Sequence, residues 1–359
     1  MAASALHIFK KNAYDERNLE LFSLVFPGQA CDESNYIKAF YDFYSTVTSH
    51  RFPPSPRAHE WYSSYVSLHQ DIPPYPNGSM SLDLYKHAQQ RSIARLLTGL
   101  GGDEWFQASR FYIADLLSNG RLLELRNFLR SYQNVPSDSL FTQQIITHGI
   151  APLLPESVKS IIGISRGGKQ PTPPNWMGPE LLDLAQQELL QTMVTAGPVR
   201  GYAAQHLWKA ATSGFQTHAM EMEERLAAGF GIELGHPFYD QRVIQASLAL
   251  PMNQRIRKNL NKYALRQAMS DYLPALIYKR PDKAEFSSVF LNALKAVGRE
   301  NFEPQVAHSF GWVNKQLAIE LFDQTMCDLD NRVPVNGANL WSLWHIYGLE
   351  LVSSKVFSS

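Results

Sequence analysis

Apolar, β-prone segments alternate with helix-periodic segments over the first 106 residues, and this alternation constrains the fold most. The segment ELFSLVF (20–26) ends at a Pro-Gly pair, and ARLLTG (94–99) runs into a glycine-rich turn. Between them, residues 34–44 and 82–93 carry apolar side chains at helical spacing, and Ser34 is a candidate N-cap. Because strands separated by helices are typical of parallel α/β sheets, we predict an α/β front with a parallel sheet.

After residue 106 the sequence has mostly helical periodicity. The stretch PELLDLAQQELLQTM begins with Pro179, a residue that favours the first turn of a helix. The segment 161–178, rich in Gly and Pro, is the best candidate for a loop or linker. A chain of 359 residues can bury a large core. We predict one domain over 1–359, with the α/β part at 1–106 and a mostly helical part at 107–359.

Composition argues against several classes of partner. The formal net charge is +0 and no Lys/Arg-rich run occurs, so we expect no nucleic-acid or membrane partner. No apolar run approaches the roughly 18 residues that a bilayer span needs. Cys31 and Cys327 lie far apart and form no CxxC pair, which is typical of reduced thiols in a cytoplasmic protein.

The segment LLTGLGGDEWF (96–106) is the first candidate site. Its glycines let the backbone approach a ligand closely, and Asp103 and Glu104 follow at once. Mg²⁺ takes one or two carboxylates and keeps phosphate oxygens or water as its other ligands. Ligands of open parallel sheets bind beyond the carboxyl ends of the strands, so the segment predicts a magnesium-pyrophosphate site. The alternative is a plain strand-to-helix turn in which Asp103 caps the next helix.

A basic cluster in YKRPDKAEFS (278–287) is the second candidate site. Lys279, Arg280 and Lys283 stand close together in an otherwise neutral chain. Such cations bind phosphate or stabilise a developing oxyanion, whereas the alternative is a solvated basic turn. No GxSxG, GxxxxGK[ST] or helix-preceding GxGxxG segment occurs. The histidines without metal-ligand spacing, which we interpret as structural, are His206, His218 and His236.

These segments together resemble the synthetase domain of the asparagine synthetase family, which also includes β-lactam synthetases and lasso-peptide macrolactam cyclases. LLTGLGGDEWF is similar to the family's SGEGGDELF, and GIELGHPFYDQRVIQASLALP is similar to its GVEVRVPFLD…ALSLP. NKYALRQAMSDYLPALIYKRPDKAEFS resembles its K-x-x-LR…LP…I…RPKKGF segment. FSLVFPGQACDES resembles its strand plus DE segment, and WSLWHIYGLELV resembles its closing Trp-containing helix. The similarity runs from near residue 20 to the C-terminus.

The resemblance implies a fold and an activity. The implied fold is a parallel-sheet ATP-pyrophosphatase-like (adenine nucleotide α-hydrolase) domain with a mostly helical C-terminal half. The implied reaction uses ATP and Mg²⁺ to convert a carboxylate substrate to an acyl-adenylate, which an amine donor then attacks to give an amide. The matching positions are Asp103 and Glu104 for Mg²⁺ and pyrophosphate, Leu24, Val25 and Gly99 for adenine, and Lys283 and Arg280 for catalysis and phosphate contact.

The sequence also departs from the family pattern. The ATP loop SGGxDS does not occur in it, and MAASALHIFKK matches the helix that follows that loop, so we expect a domain truncated at its N-terminus. Met1-Ala2 stands where a glutaminase domain would begin with cysteine. Leu100 replaces the first glutamate of SGEGGDE, and Gly235 replaces the arginine of GVEVRVPF. Since leucine cannot accept a proton, the asparagine-forming step is the one most affected.

Several functions remain open at the level of sequence. The first is an ATP-dependent ligase of the glutamine-hydrolysing asparagine synthetase type, incomplete as an isolated chain and served by a separate N-terminal or glutaminase partner. The second is a lasso-type macrolactam cyclase. The third is a catalytically inactive fragment or pseudoenzyme that acts as a binding module. The resemblance also implies a homodimer.

Overall fold

Short strands and many helices make up the part of the chain that the computed structural model describes. The described residues are 1–15, 18–45, 47–54, 57–130, 138–155, 158, 173–193, 199–257, 260–281, 284, 286–331, 333 and 335–357. The strands are β1 (Glu20–Leu24), β2 (Thr48–Phe52), β3 (Arg95–Leu97), β4 (Glu233–Gly235), β5 (Ile256–Arg257) and β6 (Leu260–Asn261).

The α-helices up to Ile145 are α1 (Ala2–Lys11), α2 (Ser34–Phe43), α3 (Ala58–His69), α4 (Leu82–Gln90), α5 (Gly102–Phe106), α6 (Tyr112–Ser118), α7 (Leu122–Arg130) and α8 (Asp138–Ile145). Those after it are α9 (Pro179–Met193), α10 (Tyr202–Ala211), α11 (Gly214–Ala228), α12 (Gln241–Ala249), α13 (Met252–Arg255), α14 (Tyr263–Ala268), α15 (Ala275–Tyr278), α16 (Ser287–Val297), α17 (Val306–Ser309), α18 (Lys315–Asp330) and α19 (Gly337–Phe357). A π-helical turn covers Ile146–Ile150, and 3₁₀ turns cover Pro76–Ser81, Ala151–Leu153, Pro237–Tyr239 and Arg299–Phe302.

The strands β1 to β4 pair in parallel, as predicted, but within the described residues they form separate small sheets. β1 pairs with β2 from Glu20↔Thr48 to Leu24↔Phe52. β3 pairs with β4 from Arg95↔Glu233 to Leu97↔Gly235. β5 and β6 form a two-stranded antiparallel hairpin. The α/β character is therefore confirmed. The described strands do not form a single continuous parallel sheet.

The turn after β1 is organised by a carboxylate. Asp32 accepts hydrogen bonds from the backbone N–H of Phe26 at 2.8 Å and from the hydroxyl of Ser34 at 2.8 Å. These bonds, led by the one from Phe26, lower the pKa of Asp32. The predicted role of Ser34 as N-cap is wrong, because Glu33 holds that position and Ser34 is the first residue of α2.

The main core lies among helices from both ends of the chain. Tyr62 on α3, Leu294 on α16 and Trp344 on α19 are fully buried. The Tyr62 hydroxyl donates to the Trp344 carbonyl at 3.0 Å, and a Cβ at Gly348 would lie 2.7 Å from that hydroxyl. Glycine is therefore required where α19 crosses α3.

A second, smaller apolar cluster joins α6, α7 and α10, with Leu116, Phe128 and Leu207 buried in it. The prediction of a mostly helical part after residue 106 is confirmed for the described residues. Of the predicted loop 161–178, residues 161–172 lie outside the described residues. No helix in the described ranges is long and apolar enough to cross a membrane. The assignment of 1–359 to one domain stays a prediction.

Candidate functional site

The turn between β3 and α5 is set by close packing against the Pro237–Tyr239 turn. Strand pairing continues to Thr98, whose N–H donates to the Gly235 carbonyl at 2.9 Å. Gly101 then adopts φ +92°, and a Cβ there would lie 2.9 Å from the Cβ of Phe238 and 2.9 Å from the ring of Tyr239. Only glycine fits both constraints. The chain consequently turns directly into α5, whose first turn carries the two acids.

Asp103 is held by a cation rather than acting as a helix cap. Its Oδ1 lies 2.7 Å from the Lys262 ammonium and accepts from the Gln107 amide at 2.7 Å. Gly101 occupies the N-cap position of α5, so the alternative in which Asp103 caps that helix is wrong. Glu104 influences the titration of Tyr239. Burial of the Tyr239 hydroxyl, together with the negative charge of Glu104, raises the pKa of Tyr239 to about 12.

Lys262 is placed by a network of backbone contacts just before α14. It adopts φ +58°, and the side-chain oxygen of Asn261 accepts from the N–H of Lys262 at 3.0 Å and from that of Ala108 at 3.0 Å. These bonds tie the β6 region to the end of α5. Lys262 is the lysine of the K-x-x-LR segment, but sequence reasoning did not select it, because nothing in the pattern identified Asp103 as its partner.

The carboxyl end of α5 is fixed by a buried arginine. Arg255 is 2% exposed and donates to the carbonyls of Trp105 and Ser247. The Ser247 hydroxyl donates to the same Trp105 carbonyl. Burial lowers the pKa of Arg255 to about 10, so the guanidinium stays charged at neutral pH. No sequence signal separates Arg255 from surface arginines, because its role depends on which carbonyls surround it.

A hydrogen-bonded chain links the residue after β3, the residue after β4, and α11. The Thr98 hydroxyl lies 2.6 Å from Nδ1 of His236, and Nε2 of His236 lies 3.2 Å from Glu224. The His236 side chain is only 7% exposed. The arrangement agrees with the structural interpretation of His236, since both ring nitrogens are engaged in joining elements.

A cleft of about 650 Å³ separates β1 from β3, and we call it the inter-strand cleft. It is lined by Glu20–Ser23 of β1, Arg95–Thr98 of β3, and residues of flanking helices that include Arg280 and Glu33. Arg280 forms an ion pair with Glu33, stacks on the Tyr36 ring at 4.1 Å and is 15% exposed. The interpretation of Arg280 as part of a solvated basic turn is therefore wrong. By contrast, Lys279 is exposed.

The predicted site residues do not all converge. Lys283 lies outside the described residues. The described lining of the inter-strand cleft includes neither Asp103 and Glu104 nor the predicted adenine contacts Leu24, Val25 and Gly99. Leu24 packs against the main core, Val25 is buried and Gly99 is exposed. The structure thus brings Arg280 to one side of β3 and places Asp103 against Lys262 beyond its end.

A family profile described as Asparagine synthase matches residues 2–352, almost the whole chain. The chain belongs to the asparagine synthase family. Membership indicates an ATP-dependent ligase that forms amide bonds. The segments that carry Asp103, Lys262 and Arg280 all fall inside the matched region. A search of curated proteins found no match to the chain.

Asparagine synthase chemistry implies Mg²⁺, an ion that takes oxygen ligands. Among the described residues, no group of three or more His, Cys, Asp or Glu side chains is placed to hold a metal. Asp103 and Glu104 are two adjacent carboxylates, and the ammonium of Lys262 already contacts one of them. Hard oxygen donors of this number suit Mg²⁺ that arrives with phosphate and water as further ligands. The residues fit a metal carried by a nucleotide rather than a resident ion.

Proposed function

We propose that this chain provides the ATP-dependent, amide-forming centre of an asparagine synthase-type ligase. The observation that carries the proposal is the contact between Asp103 and Lys262, which joins two motif segments far apart in sequence. One segment supplies carboxylates for a phosphate-bound metal and the other supplies a cation for phosphate. Activation of a carboxylate by ATP needs both a site for the metal and a cation that contacts phosphate.

In the proposed reaction, a substrate carboxylate oxygen attacks the α-phosphorus of ATP, the bond to the pyrophosphate oxygen breaks, and pyrophosphate leaves. An amine nitrogen then attacks the acyl carbon, the bond to AMP breaks, and the amine loses a proton. Mg²⁺ would neutralise charge on the phosphates during the first step. Asp103 and Glu104 would hold that ion, and Lys262 would exchange its contact with Asp103 for a phosphate oxygen.

Two arginines and one lysine have distinct proposed parts. Arg280 would release Glu33 to contact phosphate, as the resemblance implies, and Lys283 would stabilise both transition states. Arg255 would not touch substrate; it would position α5 and thereby the acids. Gly99, which is exposed with open space beside it, and the backbone of Leu24 and Val25 would meet the adenine ring.

Calorimetric titration of the purified chain with ATP and Mg²⁺ tests the first part of this proposal. We expect binding that Asp103→Asn and Lys262→Ala each weaken, since each removes a charged partner of the phosphate-metal unit. Lys295→Ala is the matched control, because Lys295 is an exposed lysine paired with Asp330 on the surface. Binding that all three variants leave equal would contradict the proposed site.

Exchange of labelled pyrophosphate into ATP, with a panel of carboxylic acids, tests the chemistry. We expect acid-dependent exchange that Lys283→Ala abolishes while ATP binding persists. A protein that binds ATP but shows no exchange with any acid would support the second candidate, an inactive binding module. That candidate is favoured by Leu100, which cannot accept a proton at the position of the family's glutamate.

A further inference from the structure

The turn that follows β3 carries groups proposed above for nucleotide and metal. Gly99 is exposed with open space beside it, and Asp103 and Glu104 stand at the start of α5. The amine that attacks the acyl carbon loses a proton, so the reaction needs a nearby group that accepts it. Leu100 has an apolar side chain and stands where the family has a glutamate. The proton acceptor is therefore another side chain around this turn.

Three titratable side chains of this region are poor proton acceptors. Asp103 is held by the Lys262 ammonium at 2.7 Å. With Glu104 it is also the proposed holder of Mg²⁺, whose positive charge opposes protonation of a carboxylate. Tyr239 keeps its proton at neutral pH, because burial and the charge of Glu104 raise its pKa to about 12. None of these restrictions applies to the imidazole of His236.

The partners of His236 determine which of its ring nitrogens carries the hydrogen. Glu224 presents a carboxylate, which only accepts hydrogen bonds, so Nε2 of His236 carries the hydrogen in their 3.2 Å contact. A neutral imidazole has one N–H, and Nδ1 is therefore the acceptor in the 2.6 Å contact with the Thr98 hydroxyl. The order of hydroxyl, imidazole and carboxylate is the one in which a histidine withdraws a proton from a hydroxyl.

The Thr98 oxygen keeps one acceptor position after these contacts. A hydroxyl oxygen has two lone pairs, and the N–H of Leu100 uses one of them at 3.3 Å. In the described part of the chain, no other group donates to this oxygen. Thr98 is half-buried, and the next residue, Gly99, is exposed with open space beside it. An amine N–H that reaches the turn can therefore donate to the second lone pair.

Glu224 offsets the cost of placing a positive charge on the buried ring of His236. The His236 side chain is only 7% exposed, and burial alone disfavours a charged imidazole. The Glu224 carboxylate lies 3.2 Å from Nε2, and its own side chain is 44% exposed and stays hydrated. An imidazolium formed beside this carboxylate is therefore stabilised by a charge-assisted hydrogen bond.

We propose that Thr98, His236 and Glu224 form a proton relay that accepts the proton of the attacking amine. Thr98 is the member that touches the amine, and His236 and Glu224 act through it. The relay deepens the proposed function and rests on it, because it assigns the proton of the attack step to a group other than residue 100.

Each proton and electron pair of the step has a stated destination. The lone pair of the amine nitrogen forms the bond to the acyl carbon, and the bond to AMP breaks with its electron pair on AMP. An N–H proton passes to the Thr98 oxygen as the Thr98 hydroxyl proton passes to Nδ1 of His236. Glu224 stabilises the imidazolium that results. After the product has left, the ring returns the proton through Thr98 to water.

Nitrogen NMR of the full chain with isotope-labelled histidine tests the relay without requiring ligase activity. The His236 signals are assigned by their loss in His236→Gln. In mildly alkaline buffer we expect a neutral ring with its hydrogen on Nε2 and an accepting Nδ1. Thr98→Val should move the Nδ1 resonance towards that of an unbonded nitrogen, and Thr98→Ser should leave it in place. Hydrogen on Nδ1 in the unaltered chain, or no response of Nδ1 to Thr98→Val, would overturn the relay.

Two reactions of the same protein separate the relay from the activation step. Exchange of labelled pyrophosphate into ATP with L-aspartate reports adenylate formation. Amide formation from L-aspartate, ATP and ammonium chloride reports activation and attack together. We expect Thr98→Val to slow amide formation about 100-fold more than exchange, since general acid–base catalysis contributes about that factor. Thr98→Ser keeps the hydroxyl and should recover most of the amide-forming rate.

A pair of variants on α11 tests the carboxylate of the relay. Glu224→Gln should slow amide formation about tenfold, because the imidazolium loses a hydrogen bond to a charged partner. Glu221→Gln is the matched control, since Glu221 is an exposed carboxylate of the same helix that pairs with Arg225. Equal slowing of amide formation by these two variants would overturn the part assigned to Glu224.

The outcomes distinguish the relay from the ligase activity on which it rests. Equal slowing of exchange and amide formation by Thr98→Val, with no recovery in Thr98→Ser, would show a structural role for this hydroxyl and overturn the relay. An unaltered chain that gives no exchange would instead contradict the proposed ligase function with this acid. The NMR measurement would then still decide whether His236 is arranged to accept a proton from Thr98.

Discussion

Gly101 and Gly99 stand two residues apart in the same turn, and the structure predicts opposite consequences for adding a methyl group. At Gly101, φ is +92° and the new Cβ would lie 2.9 Å from Phe238 Cβ, an atom next to the backbone that cannot swing away. Gly99 is exposed, its φ is not positive, and nothing lies within 4 Å of an added Cβ.

The magnitude follows from two costs at Gly101. An unfavourable backbone conformation costs about 1–3 kcal/mol, and overpacking costs about 1–3 kcal/mol. We expect Gly101→Ala to lower the free energy of unfolding by about 3 kcal/mol. At about 2.1 cal/mol/K per residue, unfolding of a 359-residue chain has an entropy near 0.75 kcal/mol/K, so Tm should fall by about 4 °C. Gly99→Ala should be neutral or raise stability by about 0.5 kcal/mol.

Scanning calorimetry of the three proteins measures this difference, and titration with ATP and Mg²⁺ reports its consequence for the acids of α5. Gly101→Ala should weaken nucleotide binding as well as lower Tm, because the turn that presents Asp103 must open. Equal Tm values for the two variants would refute the reasoning. A lower Tm for Gly99→Ala alone would also refute the reasoning.

Three further predictions concern hydrogen-bonded polar groups. Arg255→Ala should lower the free energy of unfolding by about 3 kcal/mol, because charged hydrogen bonds and packing are lost. Arg255→Lys should recover little of that free energy. Denaturant titration measures both changes. Burial raises the pKa of Glu223 to about 7, above its usual 4.5. Because the native state then binds a proton that the unfolded state has lost, the free energy of unfolding should fall as pH rises from about 4.5 to 7. Glu223→Gln should flatten this pH dependence, and an unchanged slope of Tm against pH would contradict the prediction. Asp115 accepts from the N–H groups of Tyr202 at 2.7 Å and Ala203 at 2.9 Å, so Asp115→Ala should cost about 1–2 kcal/mol in thermal unfolding and Asp115→Asn less.

Local sequence patterns predicted most elements in the front of the chain. The apolar run at 20–26 contains β1, the run at 94–99 contains β3, and Pro179 begins α9. Strand pairing was less accessible. β4 is a three-residue strand that pairs with β3, 138 positions away in the sequence. So short a strand is not predicted by local alternation of apolar and polar residues.

The candidate site divides in the same way. Sequence reasoning selected Asp103, Glu104 and Arg280 because paired acids after glycines and clustered cations are visible as residue types. It did not select Lys262 or Arg255, and it assigned Ser34 a cap that Glu33 occupies. Lys262 pairs with Asp103, and Arg255 donates to the Trp105 carbonyl, so both contacts join residues far apart in the chain and only the folded chain reveals them.

The sequence by itself determined family membership, the parallel direction of the strands, and which segments carry acids and cations, because these properties follow from residue type and short-range periodicity. Among the described residues, the tertiary structure decided that the strands form separate small sheets, that Asp103 meets Lys262, and that a cleft separates β1 from β3. The physical reason is that backbone pairing and ion pairing depend on distance in space. Folding brings together residues that are far apart in the chain, and their local sequences do not identify their partners.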